Sequence, residues 1–276
     1  MNPHQARPAS LRELFASQWR NRQLILQMTK REVVGRYRGS VMGLAWSFFN
    51  PLLMLSVYTF VFSVVFKARW GVSGGEDKAS FAVFLFVGMI VHGLFAECAN
   101  RAPGLILTNV NYVKKVVFPL EILPSVAMGS ALFHAAISLV VLLAVRLIAN
   151  QQLAWTAIFV PMIFLPLCIA TMGVAWFLSA IGVYLRDVSQ TIGIFTTVLM
   201  FLSPVFYPIT ALPAEHQIWL KLNPLTFIIE ESRKVLVFGQ LPDWSGWISS
   251  VLVSLAAAWI GFWWFQKSRR GFADVL

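Results

Sequence analysis

Residues 40–66 form a run of 27 without a single charged side chain. As a helix rising ~1.5 Å per residue, such a run extends roughly 40 Å, enough to cross a hydrocarbon core about 30 Å thick with some tilt. Immediately before it, residues 29–39 carry Lys30, Arg31, Glu32, Arg36 and Arg38 around Tyr37. Cations flanking a first span are retained on the cytoplasmic side, so this junction orients everything that follows.

The remainder of the chain repeats the theme. Only 12% of its residues are charged, about half the share in a soluble domain. Its apolar runs are far longer than the ~10-residue alternating strands of a barrel. An all-α integral membrane protein is expected. Apolar spans are read at 40–66, 81–98, 126–149, 157–185, 191–206 and 247–265. They form one transmembrane unit over 1–276, with a cytoplasmic region at 1–39. Pro161 and Pro166 in the fourth span are tolerable where neighbouring groups take up the freed carbonyls. The fifth run is the weakest, interrupted by Ser203-Pro204 and then Tyr207-Pro208. Residues 207–246 mix apolar and polar residues with Pro213, Pro224 and Pro242, as short helices lying on a membrane surface or re-entering it would.

Charge placement tests the orientation. With six spans and both termini inside, the cytoplasmic segments hold 15 of the 22 Lys and Arg residues and the outer segments hold 7. This bias accounts for the net charge of +10 without a nucleic-acid partner. No cleavable secretion signal is expected, because 1–39 is polar and basic. Ser10-Leu11-Arg12-Glu13 matches a capping box, and Leu11, Leu14, Phe15 and Trp19 share a face of the helix it would start. That helix fits an interfacial position at the cytoplasmic surface or a dock for a soluble partner. Cys98 and Cys168 lie in apolar segments without paired spacing, so neither a disulfide nor a metal site is expected.

The sequence contains no G-x-x-x-x-G-K-[ST] loop; residues 71–75, Gly-Val-Ser-Gly-Gly, have glycines but no Gly-Lys-Ser/Thr to hold phosphates and Mg2+. If ATP drives this protein, another chain binds it. His92 and His134 fall inside spans with no carboxylate nearby in sequence, and each is read as a neutral bond to a neighbouring helix. Glu97 is expected to pair with Arg101, its i+4 neighbour. A transferase would need paired carboxylates or histidines, whereas Glu13, Glu32, Glu121 and Asp187 are dispersed. Aromatic surface is the abundant resource. Tyr58, Phe62 and Phe66 recur every four residues on the first span, below Trp46, Phe49 and Asn50. Such a strip can stack on sugar faces while amides bond hydroxyls; lipid-facing or helix-packing aromatics remain the alternative.

Three stretches together resemble a known family: RYRGSVMGLAWSFFNPLL from Arg36, the pair Arg186-Asp187 after the fourth span, and SPVFYPITALPAEHQIWLKLNPLT at 203–226. They are similar, in order and placement, to the membrane subunits of bacterial polysaccharide ABC exporters, the ABC-2 type permeases for O-antigen, capsule and teichoic acid. The resemblance covers nearly the whole chain. It implies a homodimeric channel in the inner (cytoplasmic) membrane with two separate ATPase subunits, which bind the ATP and Mg2+; this chain binds no cofactor. The substrate implied is an undecaprenyl-diphosphate-linked glycan, most often O-antigen, moved from cytoplasm to periplasm. Carried onto this sequence, Arg31, Glu32, Arg36, Tyr37, Arg38, Arg186 and Asp187 would form the cytoplasmic coupling interface. Arg36, Arg38, Lys114 and Lys115 would contact the lipid diphosphate, or serve only as retention charges. Trp46, Phe49, Tyr58 and Phe62 would line the channel, and Tyr207, Pro208, Pro213, Asn223 and Pro224 would shape periplasmic gate helices. A drug or small-lipid exporter of the same type, a membrane-bound glycosyl- or phosphotransferase, and an assembly scaffold are the competing readings.

Overall fold

The computed structural model describes residues 10–65, 78–114, 118–148 and 153–276, and every regular element among them is helical. Helix α1 (Leu11–Arg20) starts at Ser10, whose hydroxyl accepts the Glu13 N–H at 3.2 Å. Only that half of the expected capping box forms, because the Glu13 carboxylate turns forward to Arg20 at 3.0 Å. The expected apolar face also divides: Leu14 is buried with Ser17, while Leu11, Phe15 and Trp19 stay exposed. Helix α2 (Arg22–Arg36) then lies against the bundle so closely that a Cβ on Gly129 would stand 2.7 Å from Thr29 Oγ1.

The uncharged run at 40–66 does not begin as helix. Gly39 (φ 87°) and Gly43 (φ 50°) adopt left-handed backbone in the turn after α2, a conformation that side chains disfavour. The chain turns here before α3 (Trp46–Tyr58), which continues as one π-helical stretch, Thr59–Val65. Next come α4 (Lys78–Arg101), α5 (Val110–Lys114), α6 (Leu123–Ile148), α7 (Val160–Tyr184) and α8 (Val188–Phe201). The last four are α9 (Ala214–Leu222), α10 (Pro224–Arg233), α11 (Trp244–Ser268) and α12 (Phe272–Val275).

Five stretches are long and apolar enough to cross a bilayer: Gly43–Phe62, Phe81–Gly104, Leu120–Ile148, Trp155–Tyr184 and Trp244–Val275. The run expected at 191–206 supplies only α8, whose 14 residues reach roughly 21 Å and stop ahead of Ser203-Pro204. Helix α4 is central. Its apolar window is 72% buried, against 11% for the window of α3, and it touches α3, α6, α7, α8 and α10. Helices α7 and α11 approach closest, with Gly261 set directly on the Gly173 carbonyl. Small residues at such a crossing let backbones come within van der Waals reach, where dispersion drives association in lipid. Trp176 meets Phe262 edge-on at 5.2 Å beside it.

Helix α1 and the turn after α11 meet at one buried carboxylate. Glu121, fully buried ahead of α6, accepts Ser17 of α1 at 3.0 Å and Arg269, just past α11, at 2.7 Å. Arg269 also reaches the Phe118 carbonyl at 3.2 Å. At the far end of α6, Arg146 donates to the Leu236 carbonyl, and the Thr156 hydroxyl to that of Val235 at 2.6 Å. The π-helical stretch Lys234–Phe238 after α10 therefore lies at the end of the bundle opposite Glu121.

Candidate functional site

Helices α2 and α4 each carry a glutamate one turn before an arginine: Glu32 and Arg36, Glu97 and Arg101. They run antiparallel where they meet, so the two sets pair crosswise. Arg36 Nη2 lies 2.7 Å from Glu97 Oε1, and Arg101 Nη2 lies 2.5 Å from Glu32 Oε1. This corrects the expected i+4 pairing of Glu97 with Arg101. Each within-helix pair is available at small gain, but the crossed arrangement satisfies the same four charges while strapping two elements together.

His134 of α6 completes the cluster. Its Nδ1 stands 2.9 Å from Glu97 Oε2, its Nε2 3.2 Å from the Tyr37 hydroxyl, and Arg36 Nη1 lies 3.1 Å from Nδ1. With Nδ1–H donating to Glu97 and Nε2 accepting from Tyr37, a tautomer assigned from these two partners, the Arg36 Nη1 approach to Nδ1 is a packing contact rather than a third hydrogen bond, and Arg36 is held by Glu97. Burial raises the Tyr37 phenol above its ordinary value, Arg36 opposes this, and the Glu97 charge adds to it. Tyr37 is therefore a neutral donor. His134 is thus not the isolated helix-to-helix bond expected for it; His92 is, with Nε2 3.0 Å from the Thr196 carbonyl of α8.

A cavity of about 260 Å3 opens beside this cluster. Arg36, Tyr37, Glu97 and His134 form its ionic wall, and Asn50, Met54, Tyr58, Phe86 and Met89 face them. The volume sits at the small end of ligand pockets (~300–1,000 Å3). Because Arg36 is balanced by Glu97 and Glu32 by Arg101, the wall offers many hydrogen-bonding groups and little net charge. Such a lining suits hydroxyl-rich, uncharged surfaces with apolar faces. An anion would have to exchange places with Glu97 to reach Arg36. Among the described residues no three His, Cys, Asp or Glu side chains converge as a metal site.

The structure brings Arg36, Tyr37 and Tyr58 into one site. Arg31 bonds the Tyr112 hydroxyl at 3.2 Å. Arg38 lies exposed on a shallow surface with Lys30 and Arg31, and Lys114 is exposed at the end of α5. Lys115 and Phe66 lie outside the described residues. Arg186 and Asp187 stand exposed in the turn to α8, where the Asp187 carbonyl accepts the Thr191 hydroxyl. Trp46 and Phe49 are exposed on α3. Phe62 instead packs between Phe81 (5.6 Å) and Phe206 (6.1 Å).

Beyond α8, Tyr207 donates to the Phe201 carbonyl at 2.7 Å. Pro208 precedes the short turn Ile209–Ala211, and Pro213 precedes α9. Asn223 caps α10 through the Leu225 N–H at 2.9 Å, with Pro224 at the first helical position, where its missing N–H costs nothing.

Sequence reasoning overlooked Glu97 and His134 as site residues and Arg233 as a buried cation. The readable signal was the matching spacing Glu32-x-x-x-Arg36 and Glu97-x-x-x-Arg101, which predicts crossed pairing only if the two helices are known to meet.

Comparison with known proteins places the site in context. A family model described as ABC-2 type transporter matches residues 23–237, from the first turn of α2 into the π-helical stretch after α10. The chain is 27% identical over 268 residues to the O-antigen export system permease protein RfbA of Myxococcus xanthus, covering 96% of this chain and 98% of that one. It is 25% identical to an O-antigen export system permease protein RfbA of Klebsiella pneumoniae, over 92% and 95% of the two chains. A third relative, the polysialic acid transport protein KpsM of Escherichia coli, is 22% identical over 77% and 81%.

Proposed function

The chain belongs to the ABC-2 type transporter family, and from that premise we propose that it is the transmembrane subunit of a polysaccharide exporter. The observation that carries the reading is its near end-to-end match to O-antigen export permeases, a match that spans the ionic–aromatic cavity as well as the helices around it. The family is one of transport subunits; the ATP is bound and hydrolysed by a separate ATPase pair. The substrate is a glycan on an undecaprenyl diphosphate anchor, moved outward across the bacterial inner membrane through a channel formed by two copies of this chain. The α3 face, with Trp46, Phe48 and Phe49 exposed, is the surface a second copy would cover.

Six crossings with both termini cytoplasmic are part of the proposal. Glu121 bonds both Ser17 and Arg269, which supports two ends on one side, and five crossings would separate them. Helix α8 with its continuation to the outer segment then makes the sixth passage. The excess of Lys and Arg on the Glu121 side supports that side as cytoplasmic. At that face Arg31, Glu32 and Arg38, with Arg186 and Asp187, receive the ATPase stroke. Arg38, Lys114 and Lys115 meet the lipid diphosphate, and Arg36 joins them only where the diphosphate displaces Glu97.

Deleting the chain and locating lipid-linked polymer tests the reading. It predicts polymer accumulating in the cytoplasm, lost from the surface, and restored only with an intact ATPase partner. Undiminished surface polymer would favour a drug or small-lipid exporter. Polymer missing from both places would point to a synthetic enzyme.

A further inference from the structure

Glu97 serves two partners, one on each oxygen: Arg36 Nη2 at 2.7 Å from Oε1 and His134 Nδ1 at 2.9 Å from Oε2. Because both donors converge on one carboxylate, Arg36 Nη1 is brought to 3.1 Å from Nδ1, where nitrogen faces nitrogen and neither accepts. Only Arg36 is a permanent cation. The other place belongs to a side chain whose charge ordinarily changes between about pH 5 and 8. Arg36 is also the more accessible of the two, its side chain 38% exposed against 17% for His134.

The groups that face His134 decide what a second proton on its ring does. From α4 comes Glu97, with Arg101 one turn on and already paired to Glu32 of α2. Arg36 and Tyr37 come from the end of α2, and Tyr58 of α3 stands across the cavity. Helix α7 has only Cys168 and Tyr184 as ionisable side chains, and neither lines the cavity. A proton taken from water onto Nε2 turns that nitrogen from acceptor to donor. The Tyr37 oxygen, 3.2 Å away, then accepts from it, and the phenolic O–H is freed to turn into the cavity. Glu97 meanwhile keeps a full cation in the imidazolium, so Arg36 can leave without stranding a charge.

The freed donors meet others. Asn50 and Tyr58 line the same cavity, and neither is hydrogen-bonded through its side chain to another described residue. With His134 neutral, the ionic wall is balanced and offers an anion nothing that Glu97 does not already hold. With His134 protonated, the same wall carries one net positive charge. Arg36, Tyr37, Asn50 and Tyr58 then present donors to a space of about 260 Å3, which suits one compact oxyanion.

We propose that this cavity takes a phosphate-type oxyanion by exchange, the anion binding Arg36 while His134 takes up a proton and keeps Glu97 paired. This rests on the reading of Arg36 as a contact for a lipid diphosphate and adds what regulates that contact. Linkage fixes the sign: binding that takes up a proton tightens as pH falls, by at most about tenfold per pH unit for one proton.

The test uses sulfate, an oxyanion of similar shape whose own charge is constant near neutrality, and the purified full chain in phosphatidylcholine nanodiscs. Titration calorimetry in two buffers of different ionisation heat, with empty nanodiscs subtracted, counts protons taken up per sulfate bound. Wild type should show net uptake approaching one proton and a severalfold gain in affinity from about pH 8 to about pH 6. His134→Gln can still donate to Glu97 and accept from Tyr37 but takes no proton, so it should bind without uptake and without a pH slope. Sulfate bound by wild type without uptake, or not bound at all, would overturn the proposal, and neither result depends on how the variant folds. Uptake that persists in His134→Gln would overturn the role of His134. Competition separates the sources of the anion. Farnesyl diphosphate displacing sulfate where inorganic pyrophosphate does not would put a lipid headgroup in the site, and equal displacement by both would put a free anion there. Neither ATPase nor glycan enters the assay. Linked uptake in a chain that exports no polymer would retire the exporter reading and keep the exchange. Export without linked uptake would do the reverse.

Discussion

Replacing Glu97 with Gln and Arg36 with Met, singly and together, measures the strap that holds α2 on α4. The pair sits at 2.7 Å with side chains 38% and 21% exposed, between the surface regime, where pairs are worth ~0–1 kcal/mol, and the buried regime, where breaking one costs ~3–5 kcal/mol. Neither single change strands its partner in the dry interior. After Glu97→Gln, Arg36 still reaches water; after Arg36→Met, Glu97 keeps His134 at 2.9 Å. Each single change should therefore cost about 1–2 kcal/mol, and the double change scarcely more than either. The coupling is then about 1 kcal/mol, well outside the ~0.3–0.5 kcal/mol within which independent sites add. Equilibrium unfolding of the detergent-solubilised protein by SDS reads all four corners of the cycle. Strict additivity would refute the strap as an energetic link and leave it a geometric coincidence.

The buried clamp at Glu121 should be more costly to break. Glu121→Gln leaves the 8%-exposed Arg269 side chain without its carboxylate, about 3–5 kcal/mol, and should open the chain after Arg20 and Arg22 to trypsin; unchanged proteolysis would remove Glu121 as the joint between the chain ends. Gly261→Val drives a side chain into the Gly173 carbonyl, so overpacking should cost roughly 1–3 kcal/mol or more and lower the thermal midpoint; an unshifted midpoint would mean that α7 and α11 are not in backbone contact. Tyr58→Glu should stop polymer export at normal protein amounts, because Tyr58 lines the cavity, whereas Phe62→Glu should deplete the protein, because Phe62 is packed between Phe81 and Phe206. Equal protein amounts with normal export in both would take the two residues out of the conduit and the core alike.

Local signals in the chain were legible. Ser10 caps α1 as its spacing predicts, five of the six apolar runs hold helices of spanning length, and the Ser203-Pro204 interruption marks where α8 ends. The site was only half legible. Arg36, Tyr37, Asn50 and Tyr58 stand out because they cluster around one charged-to-apolar junction. Glu97 misled because a partner four residues away is as good, within its own helix, as one on α2. Glu121 looked solitary because its partners lie 104 and 148 residues distant. Likewise, the turn between α2 and α3 uses left-handed backbone at Gly39 and Gly43, which sequence marks as glycine without stating the direction of the turn. The four-residue spacing puts Phe62 on one face with Tyr58, and only the resemblance makes that face a channel wall; spacing does not say which neighbours pack on it, and here Phe81 and Phe206 do.

Export itself is tested most directly with the purified chain and its ATPase partner in liposomes, with ATP outside and lipid-linked glycan in the outer leaflet. Movement is read as protection of the glycan from an added glycosidase. The account predicts ATP-dependent protection that disappears when Tyr58→Glu replaces the wild type. Glycan that stays fully digestible while the same vesicles hydrolyse ATP would contradict it.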